Sequence, residues 1–146
     1  ILLRFNIERQ LLNGTLSVTQ IPEAWNDQFE ALFGLRPPDD AHGCLQDIHW
    51  SLGGLGYFAT YTLGNLNAAQ LYAQASQDRK IHSSLNSANY GPLLAWLRFH
   101  VHSRGSTLLP NELMKKATGQ GTDAAAYLDH LSKRFNSSTG NRRARK

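Results

Sequence analysis

Tyr61-Thr62-Leu63-Gly64-Asn65-Leu66-Asn67-Ala68-Ala69-Gln70-Leu71-Tyr72-Ala73-Gln74-Ala75, residues 61–75, decides the fold class. Leu63, Leu66, Ala69, Tyr72 and Ala75 recur every three positions. On a helix of about 3.6 residues per turn they make one apolar stripe, whereas a strand would scatter them over both faces. The pattern predicts a long helix from about Tyr61 to Lys80 with that stripe buried.

Moving outward, apolar residues keep helical spacing in nearly every segment and period-two alternation is brief, so the chain reads as all-α. Upstream, Leu3, Ile7 and Leu11 form the stripe of a first helix that stops near Asn13-Gly14, with Gly14 suited to a left-handed cap. Leu16 to Ile21 reads as a short extended link. Pro22 opens a second helix whose apolar face is Trp25, Phe29, Leu32 and Phe33, and which ends at Gly34. Arg36-Pro37-Pro38-Asp39-Asp40 is then a loop, and a short helix is expected to hold Gln46-Asp47-Ile48-His49-Trp50 ahead of a turn containing Gly53, Gly54 and Gly56.

Downstream, a helix starting near Pro92 contains Leu93, Trp96, Leu97, His100 and Val101 and ends at a loop around Ser103 to Ser106. Pro110 to Thr118, closed by Gly119, is a short helix. Thr122 is placed to cap a last one in which Tyr127, Leu128, Leu131 and Phe135 pack inward. With no repeat and no linker, residues 1–136 read as one helical segment, followed by a polar, basic tail, 137–146, expected to be disordered. The opening Ile1-Leu2-Leu3-Arg4-Phe5 lies in the middle of an amphipathic pattern with no capping residue before it, so the chain reads as the C-terminal piece of something longer.

The net charge is +4, and Arg142, Arg143, Arg145 and Lys146 account for all of it, leaving eleven basic against eleven acidic side chains in the preceding residues. A compact part without a basic face lacks the phosphate-neutralising surface that nucleic-acid affinity rests on, so no nucleic-acid partner is expected. No run approaches the length of a membrane span, and no membrane partner is expected. The single cysteine, Cys44, rules out an internal disulfide and fits a reducing, cytoplasmic compartment.

Polar chemistry gathers in Gly43-Cys44-Leu45-Gln46-Asp47-Ile48-His49-Trp50 and in Gly56 to Gly64. A catalytic zinc needs three protein ligands and an open position. The six histidines, His42, His49, His82, His100, His102 and His130, include no H-E-x-x-H pair, so no metal ligand is assigned. His49 reads either as a core histidine satisfied by Asp47 or a backbone carbonyl, or as a donor to a substrate carbonyl or oxyanion. Tyr57 and Tyr61 read either as further donors or, with Phe58, as an aromatic stripe covering the long helix. Asp47 can orient the imidazole through its other nitrogen or cap a helix. Cys44 reads as a small buried residue.

These residues carry a family resemblance. The motif G-x-x-Q-D-x-H-W of the carboxypeptidase Taq family matches Gly43, Gln46, Asp47, His49 and Trp50, and G-Y-F-P-T-Y-T-L-G-N matches Gly56 to Asn65 with Ala59 in place of proline. Weaker agreement extends over nearly all of residues 1–135. The chain thus resembles the C-terminal part of a helical gluzincin-type zinc metallocarboxypeptidase. The resemblance implies an enzyme that releases single amino acids from peptide C-termini, is cytoplasmic and homodimeric, and uses zinc or another divalent metal. Its H-E-x-x-H site would lie upstream of Ile1, so this chain alone would bind no metal and be inactive. It also implies His49 as the donor to the scissile carbonyl or oxyanion, Tyr57 and Tyr61 as substrate or transition-state contacts, and Gln46 and Asp47 as their support. Ala59 removes a rigid φ from the turn that presents both tyrosines. The competing reading is a non-catalytic helical module for peptide binding or dimerisation.

Overall fold

A computed structural model describes the backbone of residues 1–140 and the side chains of residues 1–136; the remainder of the basic tail lies outside the described residues. Among them are seven α-helices and no strand: α1 (Leu2–Leu12), α2 (Ile21–Phe33), α3 (Phe58–Ala75), α4 (Arg79–Asn86), α5 (Gly91–His100), α6 (Pro110–Thr118) and α7 (Ala125–Gly140). Short 3-10 turns occupy Val18–Gln20 and His102–Arg104. The chain packs as two compact units, Ile1–Thr62 and a second beginning at Leu63, and the boundary falls inside α3.

In the first unit the stripe of α1 does what its spacing predicts: Leu3 and Ile7 are buried against Trp25 and Cys44, with Leu11, Leu16, Ile21, Phe29 and Trp50 packed around them. Burying side chains of this size contributes about 1.5–3 kcal/mol each. α1 ends in a Schellman arrangement: Thr15 N–H donates to Gln10 O at 3.0 Å and Gly14 N–H to Leu11 O at 3.2 Å, with Gly14 at φ 76°. The link before α2 folds into the first 3-10 turn and is not extended, because Ser17 N–H finds Gln20 Oε1 at 2.9 Å. On α2, Trp25 is buried and Phe29 partly so, but Leu32 and Phe33 are exposed.

Residues 46–50 are not helical. They lie in bends and turns that follow a turn in which Asp40 O accepts from both Gly43 N–H and Leu45 N–H, and Gly54 N–H reaches back to His49 O at 2.7 Å. A Cβ on Gly54 would sit 3.0 Å from that same carbonyl, so any side chain there would crowd the close return of the chain.

The long helix begins at Phe58, in the first unit, and stops in the second at Ala75, short of Lys80. The side chain of Asp78 accepts from Lys80 N–H at 2.8 Å and starts α4 as a new helix. Of the expected stripe only Ala75 is fully buried; Leu63 and Tyr72 are exposed, while the polar Gln70 is 4% exposed. Gln70 Nε2 donates to Thr118 Oγ1, Gln120 O and Gly121 O, and its Oε1 accepts from Asp123 N–H, so it fastens α3 to the α6–α7 connection. The N-terminus of α7 is capped by Asp123, whose Oδ1 accepts from Ala125 N–H, and not by Thr122, whose hydroxyl donates to Asn67 instead. Leu128 on α7 is exposed. No helix of the described residues is long and apolar enough to cross a membrane.

Candidate functional site

The turns that follow Cys44 carry His49 to the start of α3, where the sequence places three aromatic residues within five positions. The His49 ring centre lies 4.6 Å from that of Phe58, 5.4 Å from that of Tyr57, with the planes nearly parallel, and 6.2 Å from that of Tyr61, edge to face. Tyr57 and Tyr61 meet edge to face at 5.4 Å. His49 Nε2 and Tyr61 Oη are 3.3 Å apart. Phe58 is buried, whereas Tyr57 and Tyr61 are 50% and 44% exposed, so the two phenols face solvent instead of covering α3.

The helix carries this arrangement without the proline of the motif. α3 begins at Phe58, and the Tyr57 carbonyl accepts from both the N–H and the hydroxyl of Thr60, at 3.0 and 2.6 Å. Ala59 in the first turn is therefore held by the helix itself.

Asp47 does not orient the imidazole. Its carboxylate pairs with Arg4 of α1, and His49 Nδ1 is buried with no hydrogen-bond partner. Opposite charge offers the carboxylate more than a neutral ring nitrogen does, which is why the nearer histidine in sequence loses to an arginine 43 positions away. The Arg4 guanidinium also lies over the rings of Trp25, at 4.7 Å, and Phe58, at 5.0 Å. Gln46 is exposed, and only its backbone N–H hydrogen-bonds, to Gly43 O at 3.3 Å.

Ile1, Arg4, Asp47, His49, Phe58 and Tyr61 line an open cleft of about 230 Å³. The Tyr61 pKa is raised above the usual phenol value, first by partial desolvation, then by the neighbouring Tyr57 and by the negative charge of Asp47, so the phenol stays protonated at neutral pH. Cys44 is buried among apolar groups, and desolvation followed by the charge of Asp40 pushes its thiol up, so it presents no reactive thiolate. The lining thus offers hydrogen-bond donors to a polarised oxygen. No group of three or more His, Cys, Asp or Glu side chains among the described residues is placed to hold a metal ion, so these residues do not fit one.

His49, Tyr57 and Tyr61 were all legible in the sequence and are brought together. Arg4 does not stand out in the sequence as a site residue. The signal available for it was its place four residues before Glu8, which puts two charged groups on one turn of α1 beside the buried stripe; Glu8 is buried and accepts from Trp50 Nε1 at 3.0 Å.

The chain matches the carboxypeptidase Taq (M32) metallopeptidase family over residues 1–135. It is 41% identical to thermostable carboxypeptidase 1 of Pyrococcus furiosus and 37% identical to that of Thermus thermophilus, in each case over 92% of this chain. It spans 27% of the length of each of these relatives. Its structure is similar to that of the M32 carboxypeptidase from Deinococcus radiodurans, with a TM-score of 0.88 and 37% identity, covering 94% of this chain and 28% of that one.

Proposed function

The chain belongs to the carboxypeptidase Taq (M32) metallopeptidase family, and from that premise we propose that it is the C-terminal part of a metal-dependent carboxypeptidase that releases single amino acids from the C-termini of peptides. Its own contribution is a wall of the cleft that donates hydrogen bonds to the scissile carbonyl and to the oxyanion formed from it.

The observation that carries this reading is the His49 Nε2–Tyr61 Oη contact at 3.3 Å on the open cleft. A buried, unpaired N–H is costlier to the fold than an unpaired acceptor, so the lack of a partner at Nδ1 favours the tautomer with the proton on Nε2. His49 then donates to Tyr61, and Tyr61, kept protonated by its raised pKa, donates onward to the peptide oxygen. Tyr57 packs flat on the imidazole and offers its exposed phenol to the substrate. Gln46, next to Asp47 in sequence and with an exposed amide that both donates and accepts, is a further proposed contact to the peptide.

Zinc, which supplies Lewis-acid chemistry in hydrolases, is the proposed metal of the complete enzyme, held by ligands from outside the described residues. A cytoplasmic homodimer is its proposed working form.

The test is the kinetics of His49→Ala and Tyr61→Phe in a metal-loaded enzyme that contains this chain, on blocked dipeptides. Each substitution is expected to lower kcat about a hundredfold while KM changes by less than about fivefold. Turnover within a few-fold of the parent for both would leave these residues without a catalytic role and favour the helical peptide-binding or dimerisation module.

A further inference from the structure

The imidazole of His49 lacks the carboxylate that ordinarily fixes such a ring. Its Nδ1 has no hydrogen-bond partner, so its orientation rests on the Tyr61 bond and on the packed rings of Tyr57 and Phe58. Phe58 is in turn buried beneath the Arg4 guanidinium, which also stacks on Trp25 and pairs with Asp47. One side chain, itself 17% exposed, thereby touches two groups that share the cleft with the histidine, Phe58 and Asp47, and anchors on Trp25 as well.

We propose that Arg4 is a positioning residue for the His49–Tyr61 donor pair, fixing the Phe58 ring against the imidazole and holding the Asp47 carboxylate away from it. The inference rests on the reading of His49 and Tyr61 as donors. A planar guanidinium can stack on two rings and bind a carboxylate at the same time, which an ammonium group cannot. Arg4 is neutralised by Asp47 and largely covered, so it offers no free positive charge to a peptide carboxylate; its loss alters turnover and not substrate affinity. An Asp47 released from Arg4, two residues from His49, becomes free to accept from the imidazole and turn it from Tyr61.

The test combines Arg4→Met with His49→Ala in a double-mutant cycle on the metal-loaded enzyme that contains this chain. The contacts between the His49 ring and those of Phe58 and Tyr61, followed by nuclear Overhauser effects in the 146-residue chain, are the second readout. Arg4→Met is expected to lower kcat about tenfold or more with KM within about threefold, to add less than about twofold to His49→Ala, and to weaken the ring-to-ring effects. Arg4→Lys is expected to fall between, and it carries the same cycle where the methionine variant does not fold. Losses that multiply in the double variant, ring contacts that persist in an inactive Arg4 variant, or a raised KM with kcat unchanged each overturn the inference. Loss of the ring contacts in Arg4→Met beside a His49→Ala enzyme of normal turnover supports the positioning of the ring and overturns the donor reading instead.

Discussion

Tyr61 shows how far one side chain depends on neighbours that are distant in sequence. Desolvation, the Tyr57 phenol and the Asp47 carboxylate together hold its pKa above the usual 10.0. A group whose pKa is higher in the folded chain stabilises the fold below its unfolded value and loses that contribution as pH rises through the folded value. Tyr61 therefore contributes at neutral pH and loses that contribution only as pH rises beyond 10.0 and through its raised folded value. Asp47→Asn removes one of the causes, so the Tyr61 titration, followed by ring carbon chemical shifts, is expected to move down toward the ordinary value; an upward move would deny the charge effect. At this scale the motif made His49, Tyr57 and Tyr61 legible, because their mutual approach is set within thirteen residues of chain. The partner of Asp47 was not legible. Sequence gives neighbours along the chain, whereas an ion pair is chosen by geometry and by competing charges, and here the choice fell on Arg4 of α1.

At the scale of elements, spacing and punctuation located α1, α2, α5 and α6 well, since each has an apolar stripe and glycine or proline near its ends. It failed over residues 46–50, which lie between the turn closed on Asp40 O by Gly43 and Leu45 and the return of Gly54 N–H to His49 O, and at Asp78, whose cap divides the expected long helix in two. Two glycines separate the roles of local conformation. Gly14→Ala is expected to cost about 1 kcal/mol, because φ 76° is strained for any residue with a Cβ. Gly64→Ala, within α3 and in open space, is expected to stabilise by about 0.5–1 kcal/mol. Urea denaturation midpoints read both, and equal shifts would refute the distinction. Gln70→Leu leaves Asp123 N–H and the Gly121 carbonyl without their partner, and is expected to cost roughly 2–3 kcal/mol in the same measurement despite the gain in apolar surface. A stabilising outcome would mean that the polar clamp contributes nothing to holding the α6–α7 connection.

For the molecule as a whole, the all-α class was legible because nearly every segment carries the helical period. The extent of burial was not. Periodicity reports which face of a helix is apolar, not what covers it, and Leu32, Phe33, Leu63, Tyr72 and Leu128 are exposed in a chain that spans about a quarter of the length of its relatives. Arg4, His49 and Tyr61 line the cleft, and no group placed to hold a metal ion stands among the described residues. As proposed, this segment supplies working donors to a metallocarboxypeptidase. The most direct measurement replaces the matching segment of the Pyrococcus furiosus thermostable carboxypeptidase 1 by residues 1–135 and follows release of the C-terminal residue from blocked dipeptides. A kcat/KM within about tenfold of the parent enzyme, falling about a hundredfold further with His49→Ala, is the expected result. A folded, metal-loaded chimera more than about a thousandfold slower than the parent, or one indifferent to His49→Ala, would contradict it.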